Sequence, residues 1–310
     1  KLTVRTASLA PMTSAPSAPF GRVLTAMATA FTDDGAVDLD GTARIAAHLV
    51  DHGHDGLVVS GTTGEAPTCS IAECGDLLRV VKDAVGDRAS VVAGVGTNAT
   101  NHSIELAQQA EKLGADGLLL VTPYYSKPSQ AGILQHFRQV VDATDTPVML
   151  YDVPGRTGTA IAPDTYRRAA EWDTVIAVKD AVGDYARGTR IMRDTGLVFY
   201  SGDDANNLGW LAHGAAGFIS VAGHACGDQL RRIADAWFAG DPAGALDAYR
   251  EMLPAIDAIM GVPNYGATTA KAALQLLGVL DNRNVRSPLV PLDDDELAAL
   301  RAGLVAAHVL

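Results

Sequence analysis

A lysine and a tyrosine end two successive apolar segments, where their side chains are placed for covalent chemistry. Lys179 ends the run TVIAVK, and Tyr151 lies in the run PVMLYDVP (147–154). Desolvation there lowers the pKa of a lysine, and its neutral amine condenses with a ketone to give an imine. Imine and enamine chemistry needs repeated proton transfers, which a phenol can supply. If the two segments are neighbouring strands, about 4.8 Å apart, both side chains enter one pocket.

The residues alone leave other roles open for both side chains. Lys179 could be paired with a carboxylate, and Tyr151 could be an ordinary packing residue. The chain has six lysines, and most of the others lie in polar or helical segments, where we expect them to be solvated.

Two further segments have features that suit carboxylate binding. GTTGE (61–65) is a glycine-bracketed turn whose backbone N–H groups, with the hydroxyls of Thr62 and Thr63, form a cradle for a small anion. The alternative is that the threonines cap the following helix. Arg156 follows the Tyr151 segment, and its guanidinium can clamp a carboxylate in a two-point fork, although a loop arginine is more commonly just exposed.

These residues lie at or just after the ends of short apolar runs, which alternate with amphipathic segments along the chain. Continuous apolar runs are typical of parallel strands that are covered on both faces, and the intervening segments have helical periodicity. The eight runs span residues 23–31, 56–61, 90–96, 117–123, 147–154, 175–180, 197–204 and 217–223.

Eight such units predict an α/β fold, a (β/α)8 TIM barrel with a C-terminal helical appendage; a doubly wound sheet is the alternative. We expect a flexible N-terminal tail over residues 1–20, the barrel over 21–225 and a helical region over 226–310. Within the last region, segments 228–239, 242–260, 265–278 and 293–308 have helical patterns. Functional side chains of such barrels lie at the C-terminal ends of the strands, where the candidate residues fall.

Composition excludes several classes of function. The net charge is -12 and no Lys- or Arg-rich run is present, which disfavours nucleic acid as a partner. No run approaches the ~18 to 20 apolar residues of a membrane span, so we expect no membrane partner. Three cysteines without CxxC spacing indicate free thiols and a reducing, cytoplasmic compartment.

Three weaker motifs point to other chemistry. GVGTNA (94–99) matches part of a dinucleotide-binding fingerprint but lacks the acidic residue after the next strand. His52 and His54 lack a third metal ligand, and the pair Asp203 and Asp204 alone would suggest only a cation. We expect no metal site from these residues.

Five motifs together resemble the dihydrodipicolinate synthase family of pyruvate-dependent class I aldolases, which is related to N-acetylneuraminate lyase. The motifs occur in order and with barrel spacing from about Gly21 onward. They are GTTGE, TPYYSKPSQ, YDVPGRTG, VKDA and SGDDA.

The resemblance implies a role for each matching residue. Lys179 would form the Schiff base with pyruvate, and Tyr151, Thr62 and Tyr125 would relay protons. Tyr125 would be supplied by a neighbouring subunit, which implies a dimer at least and usually a tetramer. The implied substrate-binding residues are Thr63 for the pyruvate carboxylate, Arg156 for the carboxylate of L-aspartate 4-semialdehyde, and Gly202 and Ile219 as pocket lining.

The implied reaction condenses pyruvate with L-aspartate 4-semialdehyde in lysine and diaminopimelate biosynthesis. It implies no metal or organic cofactor, because the lysine imine is the electron sink. A related aldolase acting on a sugar acid or hydroxy-keto acid is the first alternative, and Arg156 disfavours it. A non-catalytic binding barrel is the second.

One departure from the family concerns feedback inhibition by lysine. The sequence keeps Asn98 and Tyr124 of the inhibitor cleft but has Ala66, Cys74 and His102 where inhibited members tend to have Ser, His and Glu. Without the glutamate that would bind the effector's ammonium group, we expect weak or absent feedback.

Overall fold

Eight parallel strands close into a barrel in the computed structural model, which describes residues 15–310. Each strand pairs with the next in the chain, and the last pairs with the first, which confirms the predicted barrel. The strands are β1 (Val23–Ala26), β2 (Gly56–Val59), β3 (Ser90–Gly94), β4 (Gly117–Val121), β5 (Val148–Asp152), β6 (Val175–Asp180), β7 (Val198–Ser201) and β8 (Gly217–Ser220).

Helices surround the barrel and continue beyond it. The helices between β1 and β8 are α1 (Leu39–Asp51), α2 (Ile71–Val85), α3 (Thr100–Lys112), α4 (Gln130–Val141), α5 (Pro154–Thr157), α6 (Pro163–Ala169), α7 (Tyr185–Thr195) and α8 (Asn207–Ala212). After β8 come α9 (Gly223–Phe238), α10 (Pro242–Met260), α11 (Ala267–Leu276) and α12 (Asp294–Ala306), which match the four predicted helical segments. No helix within residues 15–310 is long and apolar enough to cross a membrane.

The alternation of side chains along each strand divides the core into two layers. Met149, Tyr151 and Ala177 belong to the cluster inside the barrel, whereas Leu150 and Val178 belong to the cluster between the strands and the helices. Because successive strand residues point to opposite faces, Lys179 follows Ala177 toward the interior. A third apolar cluster joins α9, α10, α11 and α12.

The lower end of the barrel is closed by a residue that precedes the first strand. Phe20 is 2% exposed and belongs to the interior cluster, and its N–H donates to the Tyr200 hydroxyl at 3.3 Å. The predicted tail over 1–20 lies outside the described residues up to position 14. At its last residue the prediction is wrong, because Phe20 is packed into the barrel.

The predicted boundary between barrel and appendage falls within α9. That helix begins at Gly223 and has non-helical backbone angles at Cys226, with φ −114° and ψ 33°. The first turn of the appendage is therefore continuous with the loop that follows β8.

Candidate active site

Lys179 and Tyr151 share the interior of the barrel near its C-terminal end. They are paired in register across β5 and β6, and Lys179 Nζ lies 4.5 Å from the centroid of the Tyr151 ring. Lys179 is 4% exposed and Tyr151 is 6% exposed. The structure thus brings together the two residues that strand spacing predicts to share a pocket.

Burial lowers the pKa of Lys179 to about 8. The Asp204 carboxylate acts in the opposite direction, and the positive charge of Arg156 adds to the lowering. Within residues 15–310, neither a hydrogen bond nor an ion pair holds the Lys179 ammonium. With that pKa, about one molecule in ten carries the neutral amine at pH 7, so a nucleophilic form is available under mild conditions.

The pKa of the neighbouring phenol, Tyr151, is shifted in the opposite direction. Burial raises the pKa of Tyr151 to about 12, and the nearby Arg156 partly offsets this rise. Tyr151 therefore stays protonated at neutral pH and enters a reaction as a proton donor rather than as a phenolate.

The turn GTTGE presents one buried and one exposed threonine. Thr63 is buried, whereas Thr62 is exposed. Ser70 caps α2 by accepting from the Glu73 N–H, so the alternative that the threonines cap this helix is wrong. Their hydroxyls are free of that task and remain available to a bound anion.

A second buried lysine holds this turn in place. Lys271, on α11, is 0% exposed, forms an ion pair with Glu65 and donates to the Asn284 carbonyl at 2.7 Å. Glu65 has a left-handed backbone (φ 56°) and also accepts from the Arg286 N–H at 2.8 Å. Lys271 is thus an exception to the expectation that the other lysines are mostly solvated. Lys271 thus brings a positive charge from the C-terminal helical appendage to the loop that follows β2.

Gly202 lies beside the lysine, and Ile219 lies in the interior of the barrel. A Cβ atom on Gly202 would stand 3.1 Å from Lys179 Cε and 3.0 Å from the Asp180 carbonyl, so any larger residue would crowd the amine's stem. Ile219 is buried on β8 in the interior cluster that contains Tyr151.

Arg156 stands at the mouth of the site. It lies on the single turn α5, directly after β5, and its side chain is exposed. Its guanidinium carbon is 5.3 Å from the centroid of the Tyr265 ring. Its positive charge lowers the pKa of both Lys179 and Tyr151.

Tyr125 is the predicted residue that this chain does not bring to the pocket. It is 89% exposed and has a left-handed backbone with φ 71°. A non-glycine residue in that region is strained, and an aromatic ring so exposed leaves its apolar surface in water.

The weaker motifs have structural explanations. A side chain on Gly94 of GVGTNA would overlap the Ser60 carbonyl, so that glycine permits close packing of loop and strand. His54 bonds to Thr25 and to the Leu49 carbonyl. In residues 15–310 no group of three or more His, Cys, Asp or Glu could hold a metal ion.

Asp204 also influences the site, although from the sequence we considered it only as a cation ligand. It is buried after β7, accepts from the N–H groups of Val221 and Ala222 at 2.8 Å, and is the carboxylate that raises the pKa of Lys179. The motif SGDD gave its position, but the partners lie 17 and 18 residues further along the chain.

Comparison with known proteins gives consistent matches over nearly the whole chain. A family model described as "Dihydrodipicolinate synthetase family" matches residues 19–307. A protein of Acidothermus cellulolyticus named 4-hydroxy-tetrahydrodipicolinate synthase is 57% identical over 95% of each chain. A Streptomyces coelicolor protein, 4-hydroxy-tetrahydrodipicolinate synthase 2, is 53% identical over 96% of this chain and 98% of its own. The crystal structure of the Cyanidioschyzon merolae enzyme with lysine bound has a TM-score of 0.91 and 38% identity, covering 95% of this chain and all of that one.

Proposed function

The chain belongs to the dihydrodipicolinate synthetase family, and from this premise we propose that it catalyses the reaction for which its relatives are named. In this reaction pyruvate condenses with L-aspartate 4-semialdehyde to give 4-hydroxy-tetrahydrodipicolinate and water. The observation that carries the proposal is a buried lysine that has no ion pair within residues 15–310 and lies 4.5 Å from the ring centroid of a buried tyrosine on the neighbouring strand.

The first half of the reaction takes place on Lys179. The neutral amine attacks the keto carbon of pyruvate, and loss of water leaves an imine. Loss of a proton from the methyl carbon gives an enamine, with the protonated imine as the electron sink. Tyr151 passes these protons, and Thr62, exposed beside the buried Thr63, links the phenol to solvent. Thr63 donates to the pyruvate carboxylate.

The second half forms the carbon–carbon bond. The enamine carbon attacks the aldehyde of the semialdehyde, whose oxygen is protonated to a hydroxyl. The amino group of this substrate then adds to the imine carbon and expels the amine of Lys179, which closes the ring. Arg156 holds the second carboxylate, and Gly202 leaves room for the imine beside the lysine stem.

The chemistry needs no metal or organic cofactor, because the protonated lysine imine serves as the electron sink for loss of the methyl proton. We also propose a cytoplasmic location, which is supported by the free thiols of Cys69, Cys74 and Cys226. The acidic chain has small-molecule substrates rather than nucleic acid or membrane as partners.

Trapping the imine tests the central step. Borohydride reduction with pyruvate should add one reduced pyruvate to Lys179, located by peptide mass spectrometry. An assay coupled to the next reductase should then show turnover with aspartate semialdehyde. An adduct with turnover only of a sugar acid would instead indicate a related aldolase. Absence of any adduct would favour the non-catalytic binding barrel.

We further propose that the chain assembles as a homotetramer, a dimer of dimers, in which Tyr125 enters a neighbour's site. The exposed ring on a strained backbone supports this arrangement. Mixing inactive Lys179→Met and Tyr125→Phe variants tests it, because a mixed dimer contains one complete site. Restored activity supports sharing of Tyr125. A mixture that exchanges subunits, shown by native mass spectrometry, yet stays inactive would contradict it.

We also propose that lysine inhibits this protein weakly or not at all. Ala66, Cys74 and His102 offer no carboxylate to an ammonium group, although the lysine-bound Cyanidioschyzon relative shows that such an effector can be accommodated in the fold. Half-maximal inhibition at sub-millimolar lysine would contradict this proposal.

A further inference from the structure

Each of the two reactive residues is followed by an aspartate on its strand. Asp152 follows Tyr151, Asp180 follows Lys179, and both pairs stand in register across β5 and β6. Because successive side chains point to opposite faces, the aspartates point outward, behind the reactive residues. Whatever fixes the two carboxylates therefore also fixes the strand ends that carry the amine and the phenol.

One arginine reaches both carboxylates. Arg187, on α7, places Nη2 3.1 Å from Asp152 Oδ2 and Nη1 3.8 Å from Asp180 Oδ2. The two carboxylate side chains are 0% exposed. Nη2 also donates to the Ile161 carbonyl, which ties the segment after α5 to the same arginine.

The remaining carboxylate oxygens are held by neighbouring groups. Tyr166 donates its hydroxyl to Asp152 Oδ2 at 3.1 Å, and the Ile161 N–H donates to Asp152 Oδ1 at 3.2 Å. Asp180 Oδ1 accepts from the N–H groups of Val182 and Gly183. The long Arg187–Asp180 contact is different, since Asp180 Oδ2 and Arg187 Nη1 are buried without a hydrogen bond in the described part of the chain. This contact is electrostatic. Because Arg187 also contacts Asp152 on β5, it links β6 to β5.

Among the described residues, the two buried carboxylates share one cation, Arg187. Burial raises the pKa of Asp152, and it raises that of Asp180 to about 6. Removing the arginine would leave the two buried carboxylates with hydrogen bonds but without its positive charge, and they would separate, protonate or admit water. Each of these responses moves the strand ends that carry Tyr151 and Lys179.

We propose that Arg187 is a positioning residue for imine formation, which clamps Asp152 and Asp180 and so sets the separation of Tyr151 from Lys179. This inference rests on the proposed chemistry at Lys179. It assigns no substrate contact to Arg187, which acts from behind the strands.

The experiment compares Arg187→Met with Arg187→Lys and uses Arg190→Met as the matched control. Arg190 is exposed on the same helix. For each folded variant we would measure the rate of borohydride-trapped imine across about pH 6 to 9, together with kcat and KM for pyruvate. Arg187→Met should lower both the trapping rate and kcat about 10- to 100-fold, the scale of a small misplacement of reacting groups. Arg187→Lys should recover part of this loss, and Arg190→Met should match the wild type.

Asp180→Asn is a second test, because it keeps the shape and the bonds from Val182 and Gly183 without leaving a surplus charge. We expect trapping to slow about 3- to 10-fold, with KM for pyruvate changed less than kcat. Wild-type trapping rates in this variant and in any folded Arg187 variant would overturn the proposal, even if unfolding temperatures fell. Absence of an adduct in the wild type itself would instead overturn the proposed function.

Discussion

Two lysines are buried within residues 15–310, and their pKa values are shifted alike although their surroundings differ. Burial lowers the pKa of both Lys179 and Lys271 to about 8. Lys271 forms an ion pair with Glu65 and donates to a carbonyl, whereas Lys179 has an aromatic ring on one side and Gly202, which has no side chain, close to its stem. A lowered pKa alone therefore does not identify a nucleophile. Reactivity needs a lone pair without a partner and room for a substrate.

The largest difference between variants of the two lysines should appear in catalytic activity. Lys179→Met removes the amine and should lower kcat/KM by about 1000-fold or more, with no pyruvate adduct after borohydride reduction. Lys271→Met should still be trapped by pyruvate at Lys179. An adduct on Lys271 in the wild type would reverse the assignment of the two lysines.

Stability should respond most strongly at the other lysine. Lys271→Met leaves Glu65 buried without its cation, and we expect it to lower the free energy of unfolding by about 3–5 kcal/mol. Urea denaturation measures this loss. Lys82→Met is the control, because its ion pair with Asp116 is partly exposed and contributes about 0–1 kcal/mol. A loss at Lys271 no larger than at Lys82 would contradict a structural role for the buried pair.

Replacing Lys179 by methionine should have the opposite effect on stability. Below about pH 8 this lysine is protonated in both states, so the folded protein bears the full cost of a buried charge. Removing that charge should raise the free energy of unfolding by about 1–3 kcal/mol at pH 7. From about pH 8 to 10.5 only the folded wild type loses the proton, so its stability should approach that of the variant. Urea titrations at several pH values measure this difference, and a Met variant less stable than the wild type at pH 7 would refute it.

The pH dependence of imine formation should follow the lowered pKa of Lys179. With limiting pyruvate, the trapping rate should fall about tenfold per pH unit below about pH 8 and level off above it. Tyr151, whose pKa burial raises to about 12, stays protonated throughout this range. Timed borohydride quenching gives the profile, and a rate that is constant from about pH 6 to 9 would show that deprotonation of the amine is not limiting.

The sequence was sufficient for the barrel, because its eight strands are buried on both faces and therefore appear as unbroken apolar runs. It also placed Lys179 beside Tyr151, since neighbouring parallel strands carry their C-terminal residues to the same edge. The helices of the appendage followed from their periodicity. In each case the signal lies within one segment or its immediate neighbour.

Contacts between distant segments were not predictable in the same way. Lys271 lies 206 residues from Glu65, and a lysine on a helix with few charges gives no sign of the carboxylate it meets. Arg187 lies 35 residues from Asp152, and its helix has a polar composition typical of an exposed surface. Phe20 followed a proline-rich stretch that resembles a linker. These side chains meet their partners only because the closed barrel brings distant segments together.

The seal at the base of the barrel has a consequence for the order in which the chain matures on the ribosome. Phe20 is synthesised before β4 and β7, which contain the groups that it meets: Gly117, beside its ring, and the hydroxyl of Tyr200. Until the seventh strand has been translated, the aromatic ring has no complete socket and exposes apolar surface to the cell. Phe20 can thus dock only late in synthesis, after β4 and β7 have both been made.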